Sequence, residues 1–265
     1  MHDFFGRNEV TLRYYDNRKK GPVLVYQHGL TGDHKQTYST LRNKNFRVIS
    51  LECRGHGDSE LGPRRELSFK TFAEDLHELL CTLGVEKAAF AGISMGATLV
   101  GNLVQQFPEM ATRLIMIRPA WFVKRCPDNL AILSHVADFL SLYGSGQGKE
   151  YFEKSAVFQT FHEKSPDNAD SLLSAFSSPD PKATVALIRR FITCDPGIDL
   201  QVLASRNIPT LVLGVGQDVL HPISLARDIA NALPGATFRE LFPKVRDSAR
   251  HEAELINALV DFCKS

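Results

Sequence analysis

The stretch AAFAGISMGATLVGNLVQQFPE, residues 88–109, joins a short apolar run to a longer segment of helical period. Gly92 and Gly96 stand two residues before and two residues after Ser94. A sharp turn from a strand into a helix brings these two positions together, and only small residues fit there. The stretch therefore predicts a buried strand, a tight turn and a helix, with the Ser94 hydroxyl exposed at the turn.

Short apolar, β-branched runs alternate along the chain with segments of helical period, and six of the runs read as strands: 22–29, 47–53, 88–94, 113–119, 209–216 and 236–242. Most are continuously apolar, which is typical of strands that helices cover on both faces. Capping residues and apolar stripes predict helices, the clearest over 68–84, 95–107 and 251–263. Residues 4–16 favour a β-hairpin at one edge. The alternation predicts an α/β fold with a doubly wound, mostly parallel sheet.

One region breaks this rhythm. Between residues 120 and 200 the sequence shows helical segments joined by links rich in Pro, Ser and Gly, and no convincing strand. We interpret it as a helical cap inserted between two strands, so that residues 1–119 and 201–265 form the core and residues 120–200 form the lid.

The composition limits the classes of function. With 31 basic and 30 acidic residues, the net charge of +1 gives no footprint for nucleic acid or for an anionic membrane. No window approaches the ~20 apolar residues of a membrane span, and no signal peptide is visible. The five cysteines are scattered and never form a C-x-x-C pair, which favours reduced thiols and a cytoplasmic protein, and argues against a zinc site. We expect no cofactor and no metal.

A serine hydroxyl needs a neighbouring base before it becomes a good nucleophile. Asp218 follows one apolar strand, and His251 follows the final strand, so we predict that both converge on Ser94. His221 is the rival base, but it follows Asp218 so closely that we expect it not to bridge the carboxylate to a distant serine. Asp195 and Asp128 are rival acids, and structural roles are expected for His28 and His56.

The motif Gly92-Ile-Ser-Met-Gly96 and the chain order Ser94, Asp218, His251 resemble the α/β-hydrolase superfamily. The turn YQHGL (26–30) and the loop ECRGHGDSE (52–60) resemble further parts of its pattern. The resemblance spans the whole chain and implies the α/β-hydrolase fold with a helical cap. It also implies an oxyanion hole formed by the backbone amides of Leu30 and Met95.

These residues together predict a serine hydrolase that cleaves a small carboxylic ester or lactone through an acyl-enzyme on Ser94. Trp121 and Phe122 follow a strand end and are expected to line the substrate pocket. Arg118 could bind a substrate carboxylate or bridge the cap to the sheet. The alternatives are a C–C bond hydrolase or a thioesterase acting on a small acidic substrate, and a ligand sensor that keeps the triad with little turnover. The sequence leaves the oligomeric state open.

Overall fold

A single eight-stranded sheet organises the protein, whose computed structural model describes residues 2–41, 45–123 and 125–264. The strand order across the sheet is β1-β2-β4-β3-β5-β6-β7-β8. The strands are β1 His2–Arg7, β2 Val10–Asp16, β3 Val23–Gln27, β4 Arg47–Leu51, β5 Ala88–Ile93, β6 Ala111–Ile117, β7 Thr210–Val215 and β8 Thr237–Leu241. All six strands predicted from apolar runs are present.

The two edges of the sheet differ in strand direction. β1 and β2 form an antiparallel hairpin, which confirms the predicted hairpin over residues 4–16. Asn8 and Glu9 make its two-residue turn with φ of 50° and 63°, the positive values that suit a tight hairpin. From β4 to β8 every neighbouring pair is parallel, so the carboxyl ends of these strands meet at one edge.

Ten α-helices complete the described part of the chain: α1 His34–Leu41, α2 Phe69–Thr82, α3 Met95–Gln106, α4 Ile132–Lys154, α5 Ala156–Lys164, α6 Pro166–Ser174, α7 Pro181–Phe191, α8 Leu200–Ser205, α9 Ile223–Ala232 and α10 Ser248–Lys264. Ser68 caps α2 by accepting a hydrogen bond from the Thr71 amide, as its position predicted. None of these helices is both long and apolar enough to cross a lipid bilayer.

Apolar side chains pack on both faces of the sheet. The larger cluster joins α2, α3 and α9 to one face, and the smaller cluster joins the opposite face to α10. Because both faces are covered, the central strands are apolar throughout rather than alternating. The fold is therefore the predicted doubly wound α/β sheet.

Residues 120–200, which we call the cap segment, connect β6 to β7. They contain α4 to α7, and no strand occurs among the residues described there. Within α4 the backbone at Gly144 is not helical, with φ of 71° and ψ of −171°, so two helical stretches meet there at a kink; the glycine-rich residues 144–149 begin at this kink. The boundaries of a separate cap domain stay a prediction.

Candidate active site

Ser94 occupies a strained turn between β5 and α3. Its φ of 55° and ψ of −114° lie outside the regions that L-residues prefer, and such strain is concentrated at functional sites. A Cβ atom on Gly92 would lie 2.1 Å from the Gly96 carbonyl oxygen, and one on Gly96 would lie 2.4 Å from the Gln27 carbonyl oxygen. The glycine spacing is thus a steric requirement of this turn, as the sequence indicated.

The imidazole that meets Ser94 belongs to His221. Its Nε2 lies 2.9 Å from Ser94 Oγ, and its Nδ1 lies 3.0 Å and 3.1 Å from the two carboxylate oxygens of Asp218. The Asp218 carboxylate also accepts a hydrogen bond of 2.9 Å from the His221 backbone amide. A tight turn after β7 therefore sets both side chains in line with the serine.

The prediction that His251 is the partner of Ser94 is corrected by this geometry. α10 begins at Ser248, so His251 lies inside the helix, where its Nδ1 is 2.8 Å from the Phe242 carbonyl oxygen at the end of β8. The structure describes His251, Ser94 and Asp218, and no hydrogen bond joins His251 to either of the other two. The expectation that His221 follows Asp218 too closely was also wrong, because the turn lets the ring bind the carboxylate with one nitrogen and the serine with the other.

Arg118 completes the polar group around Asp218. Its Nε donates a hydrogen bond of 2.6 Å to Asp218 Oδ2, and its Nη2 lies 3.3 Å from His221 Nδ1. The backbone of Arg118 has a φ of 46°, again in the left-handed region. The guanidinium therefore binds the acid of the site. Arg118 also lines the cavity above Ser94, and its role in binding substrate stays a prediction.

Burial and charge tune the two titratable groups. Burial by itself would raise the pKa of Asp218, but the nearby His221 and Arg118 outweigh it and lower that pKa well below its ordinary range. Burial lowers the pKa of His221, Asp218 opposes this change, and the charge of Arg118 adds to it. His221 is therefore neutral near pH 7, which is the form able to accept a proton.

The proton on His221 has two alternative positions. With the proton on Nδ1, the ring donates to Asp218 and Nε2 is free to accept the Ser94 proton. With the proton on Nε2, Nδ1 would accept from Arg118 instead and the ring could not act as a base. The contact with the carboxylate is shorter, at 3.0 Å against 3.3 Å, and it favours the first arrangement.

The loop after β3 lies against the nucleophile. A Cβ atom on Gly29 would touch the Ser94 Cβ at 3.4 Å, and Leu30 lines the same cavity as Ser94. Thr31 holds a φ of 66°, an unusual value for a β-branched residue, in the turn closed by the Gly32 amide and the Gly29 carbonyl. Met95 is the first residue of α3. The oxyanion-hole role of Leu30 and Met95 stays a prediction.

A cavity of about 120 Å³ lies above Ser94, between the sheet edge and the cap segment. Its walls from the cap segment are Trp121, Leu130, Leu133, Ser171, Leu172, Ser174 and Ala175. Trp121 lines it as predicted, with its indole nitrogen donating to the Phe191 carbonyl at 2.9 Å. Phe122 does not line it, because it lies in a separate depression together with Pro222 and Leu225.

The remaining sequence candidates have structural contacts. His28 is fully buried between the Gly29 carbonyl and the Cys53 amide, and His56 binds the Arg54 carbonyl, as expected for structural histidines. Asp195 pairs with Arg125 on the surface. All five cysteines are free thiols.

Three residues beside the site could hold a metal ion. Donor atoms of Asp33, His34 and Glu52 lie within 4.8 Å of one another, the one such group in the described ranges. His34 Nδ1 is 2.5 Å from one Glu52 oxygen, and the other oxygen accepts from the Asp58 amide. These bonds tie the loop 52–60 to α1, which accounts for the buried carboxylate structurally.

Comparison with known proteins agrees with this architecture. The family model of the α/β hydrolase fold matches residues 22–253, and the chain belongs to this family. An uncharacterized protein of Mycobacterium tuberculosis is 32% identical over 100 residues, which are 37% of this chain and only 29% of that relative. The match to this chain therefore covers less than a third of that protein's length.

Two solved structures share the fold over nearly the whole chain. A carboxylesterase from the thaumarchaeon Nitrososphaera gargenis has a TM-score of 0.79 at 20% identity, covering 99% of each chain. An enol-lactonase from Burkholderia xenovorans has a TM-score of 0.75 at 20% identity, covering 99% of this chain and all of the other. At 20% sequence identity, the similarity to these two structures shows a shared fold alone.

Proposed function

We propose that this hydrolase cleaves small carboxylic esters or lactones through an acyl-enzyme on Ser94, with His221 as the base and Asp218 as the residue that orients it. The hydrogen-bonded series Ser94 Oγ to His221 Nε2, at 2.9 Å, and His221 Nδ1 to Asp218, at 3.0 Å, carries this proposal. It is the arrangement that activates a serine for acyl transfer. The enzyme class is the one predicted from the sequence, with a different histidine.

The reaction follows from this series. His221 Nε2 takes the Ser94 proton as Oγ bonds to the carbonyl carbon, and the resulting oxyanion lies toward the amides of Leu30 and Met95. When the intermediate collapses, the carbon–oxygen bond to the alcohol breaks and His221 protonates that oxygen. Water then loses a proton to His221 and attacks the acyl carbon, and Ser94 leaves with that proton.

The size of the cavity supports a small acyl group. A volume of about 120 Å³ is below the ~300 Å³ at which pockets for drug-sized ligands begin. Leu133, Leu172 and Ala175 give it apolar walls, which suit a short alkyl chain or a lactone ring. The names of the carboxylesterase and the enol-lactonase that share the fold support the same class of substrate.

The alternatives draw less support. A C–C bond hydrolase or thioesterase for acidic substrates would use Arg118, which lines the cavity, to bind a carboxylate; the ion pair with Asp218 already compensates part of its charge, which weakens this alternative. A ligand sensor would retain the same three side chains, so only turnover separates it from an enzyme.

The decisive experiment measures turnover of p-nitrophenyl acetate, p-nitrophenyl octanoate and a panel of lactones by the native protein and by Ser94→Ala. We expect sustained turnover, fastest with the shortest acyl chain, and a loss of about 10³-fold or more in Ser94→Ala. A fluorophosphonate should label Ser94, as peptide mass spectrometry would show. Full activity in Ser94→Ala would exclude the mechanism, and a single burst without further cycles would favour the sensor.

A further inference from the structure

The loop 217–221, which we call the acid–base loop, carries two of the three groups in the series. Side chains of the cap segment make four hydrogen bonds to its backbone, at Gln217, Val219 and Leu220. Asn129 Nδ2 donates to the Leu220 carbonyl at 2.6 Å, and Asn168 Oδ1 accepts from the Leu220 amide at 3.1 Å. Leu220 immediately precedes His221, so these bonds fix the peptide from which the imidazole projects.

Ser165 binds the other end of the same loop. Its hydroxyl accepts from the Val219 amide at 3.3 Å and lies 3.1 Å from the Gln217 carbonyl, with Asn168 Oδ1 at 2.8 Å as a further acceptor for its proton. Val219 and Gln217 flank Asp218. Gln217 has a φ of 60°, an unfavourable conformation that the surrounding contacts must hold in place.

Ser165 and Asn168 are not explained by the stability of their own helix. Ser165 occupies the N-cap position of α6, yet its hydroxyl makes no capping bond to a backbone amide of that helix; its partners are the Asn168 side chain and the backbone of the acid–base loop. Asn168 is completely buried, and its Nδ2 has no hydrogen-bond partner among the residues that the structure describes. Burying an unpaired donor is unfavourable, so the acceptor Oδ1 is the useful part of this side chain.

We propose that Ser165, Asn168 and Asn129 are positioning residues through which the cap segment holds Asp218 and His221 in line with Ser94. The inference rests on the proposed function, since it concerns the same base and acid. It makes docking of the cap segment a condition for catalysis: when α6 moves away, the acid–base loop loses the supports from Ser165 and Asn168, and Asp218 and His221 are no longer held in line with Ser94. The cap segment then contributes to the chemical step as well as to the pocket wall.

The test compares two serines of the cap segment. Ser155 begins α5 as Ser165 begins α6, but the Ser155 hydroxyl caps its own helix through the Phe158 amide and has no bond to the acid–base loop. We expect Ser165→Ala to lower kcat about ten- to a hundredfold with KM nearly unchanged, because misplacing a catalytic group by about 1 Å can lower the rate about a hundredfold. Ser165→Thr, which keeps the hydroxyl, should restore most of kcat. Ser155→Ala should lower the melting temperature and leave kcat unchanged.

A second measurement does not depend on turnover. The Nδ1 proton of His221 bonded to Asp218 should give a downfield proton resonance, assigned by its loss in His221→Asn. We expect the resonance in the native protein and in Ser155→Ala, and its weakening or loss in Ser165→Ala and Asn168→Leu. A retained resonance with unchanged kcat in Ser165→Ala would overturn the positioning role. If the native protein shows the resonance but no esterase activity, and Ser165→Ala loses the resonance, the positioning role is upheld and only the proposed reaction is rejected.

Discussion

Each of the last two strands of the sheet is followed within about ten residues by an acid and a histidine, yet only the histidine after β7 reaches Ser94. After β7, Asp218 accepts both the backbone amide and the ring of His221, and the ring extends to the serine. After β8, Asp247 accepts from the Arg250 amide at the start of α10, and His251 binds the Phe242 carbonyl. The first loop orients an imidazole toward the site; the second anchors a helix to the sheet.

The two loops differ in the backbone that comes after each acid. Asp218 precedes a turn that Pro222 closes, so a residue three positions later can fold back onto the carboxylate. Asp247 stands directly before a helix, which directs His251 onto the helix surface and fixes its ring on the strand end. Spacing between an acid and a histidine therefore says little until the backbone between them is known.

The largest effect on activity should come from replacing His221, with a replacement of His251 as the control. We expect His221→Asn to lower kcat/KM about 10³- to 10⁴-fold, because no other base lies within hydrogen-bond distance of Ser94 in the described chain. His251→Gln is the matched control and should retain nearly full activity. Rates with p-nitrophenyl acetate decide the matter: a large loss in His251→Gln with activity kept in His221→Asn would reverse the assignment.

Replacing the two acids, Asp218 and Asp247, should show the same contrast in kcat, with a smaller difference than for the histidines. Asp218→Asn removes the charge that supports the protonated His221 and should lower kcat about 10²- to 10³-fold. Asp247→Asn changes a residue at the start of α10 and should affect kcat by less than about twofold. Circular dichroism before the kinetic assay would show that both variants fold. Equal losses of kcat in the two variants would contradict the comparison.

Arg118 offers a test through pH. His221 must be neutral to accept a proton, so activity falls as the pH drops through its pKa, which burial and then Arg118 hold below the ordinary 6.5. Removing the positive charge in Arg118→Gln should raise that pKa and move the acid limb of kcat/KM to higher pH. The loss of activity should therefore be larger at pH 6 than at pH 8.

The control for this profile is Arg125→Gln, which removes an arginine paired with Asp195 on the surface. Its pH profile should coincide with that of the native protein. An acid limb that stays in place in Arg118→Gln would mean that Arg118 does not set the protonation of His221.

Much of the fold follows from local sequence, and the reasons are physical. Strands covered on both faces must be continuously apolar, so β3 to β7 are visible as runs, and the glycines around Ser94 mark a turn that admits no side chain there. α1 was missed because only His34, Thr37 and Leu41 of its eight residues are buried, and two of these are polar. Such a helix has almost no apolar stripe to detect.

The site was predictable only where its geometry is local. Ser94 and Asp218 lie at strand ends that the sequence reveals. His221 is brought to Ser94 by the turn at residues 218–221, and the backbone of that turn is bonded to Ser165 and Asn168, which are more than 50 residues away along the chain. One local signal was present: Asp218 and His221 are three residues apart just before Pro222, a spacing that lets both the amide and the ring meet one carboxylate.

The smallest effect should fall on stability alone. His251→Leu removes the bond between Nδ1 and the Phe242 carbonyl, which joins α10 to the end of β8, and should lower the free energy of unfolding by about 1 kcal/mol. For a chain of this length the melting temperature should fall by roughly 2–4 °C, measured by thermal unfolding at about pH 7.5. Because the side chain has no bond to the site, kcat should stay within about twofold of the native value. A fall in kcat without a fall in melting temperature would mean that the loop after β8 acts on the chemistry, and the contrast between the two loops would then be one of degree.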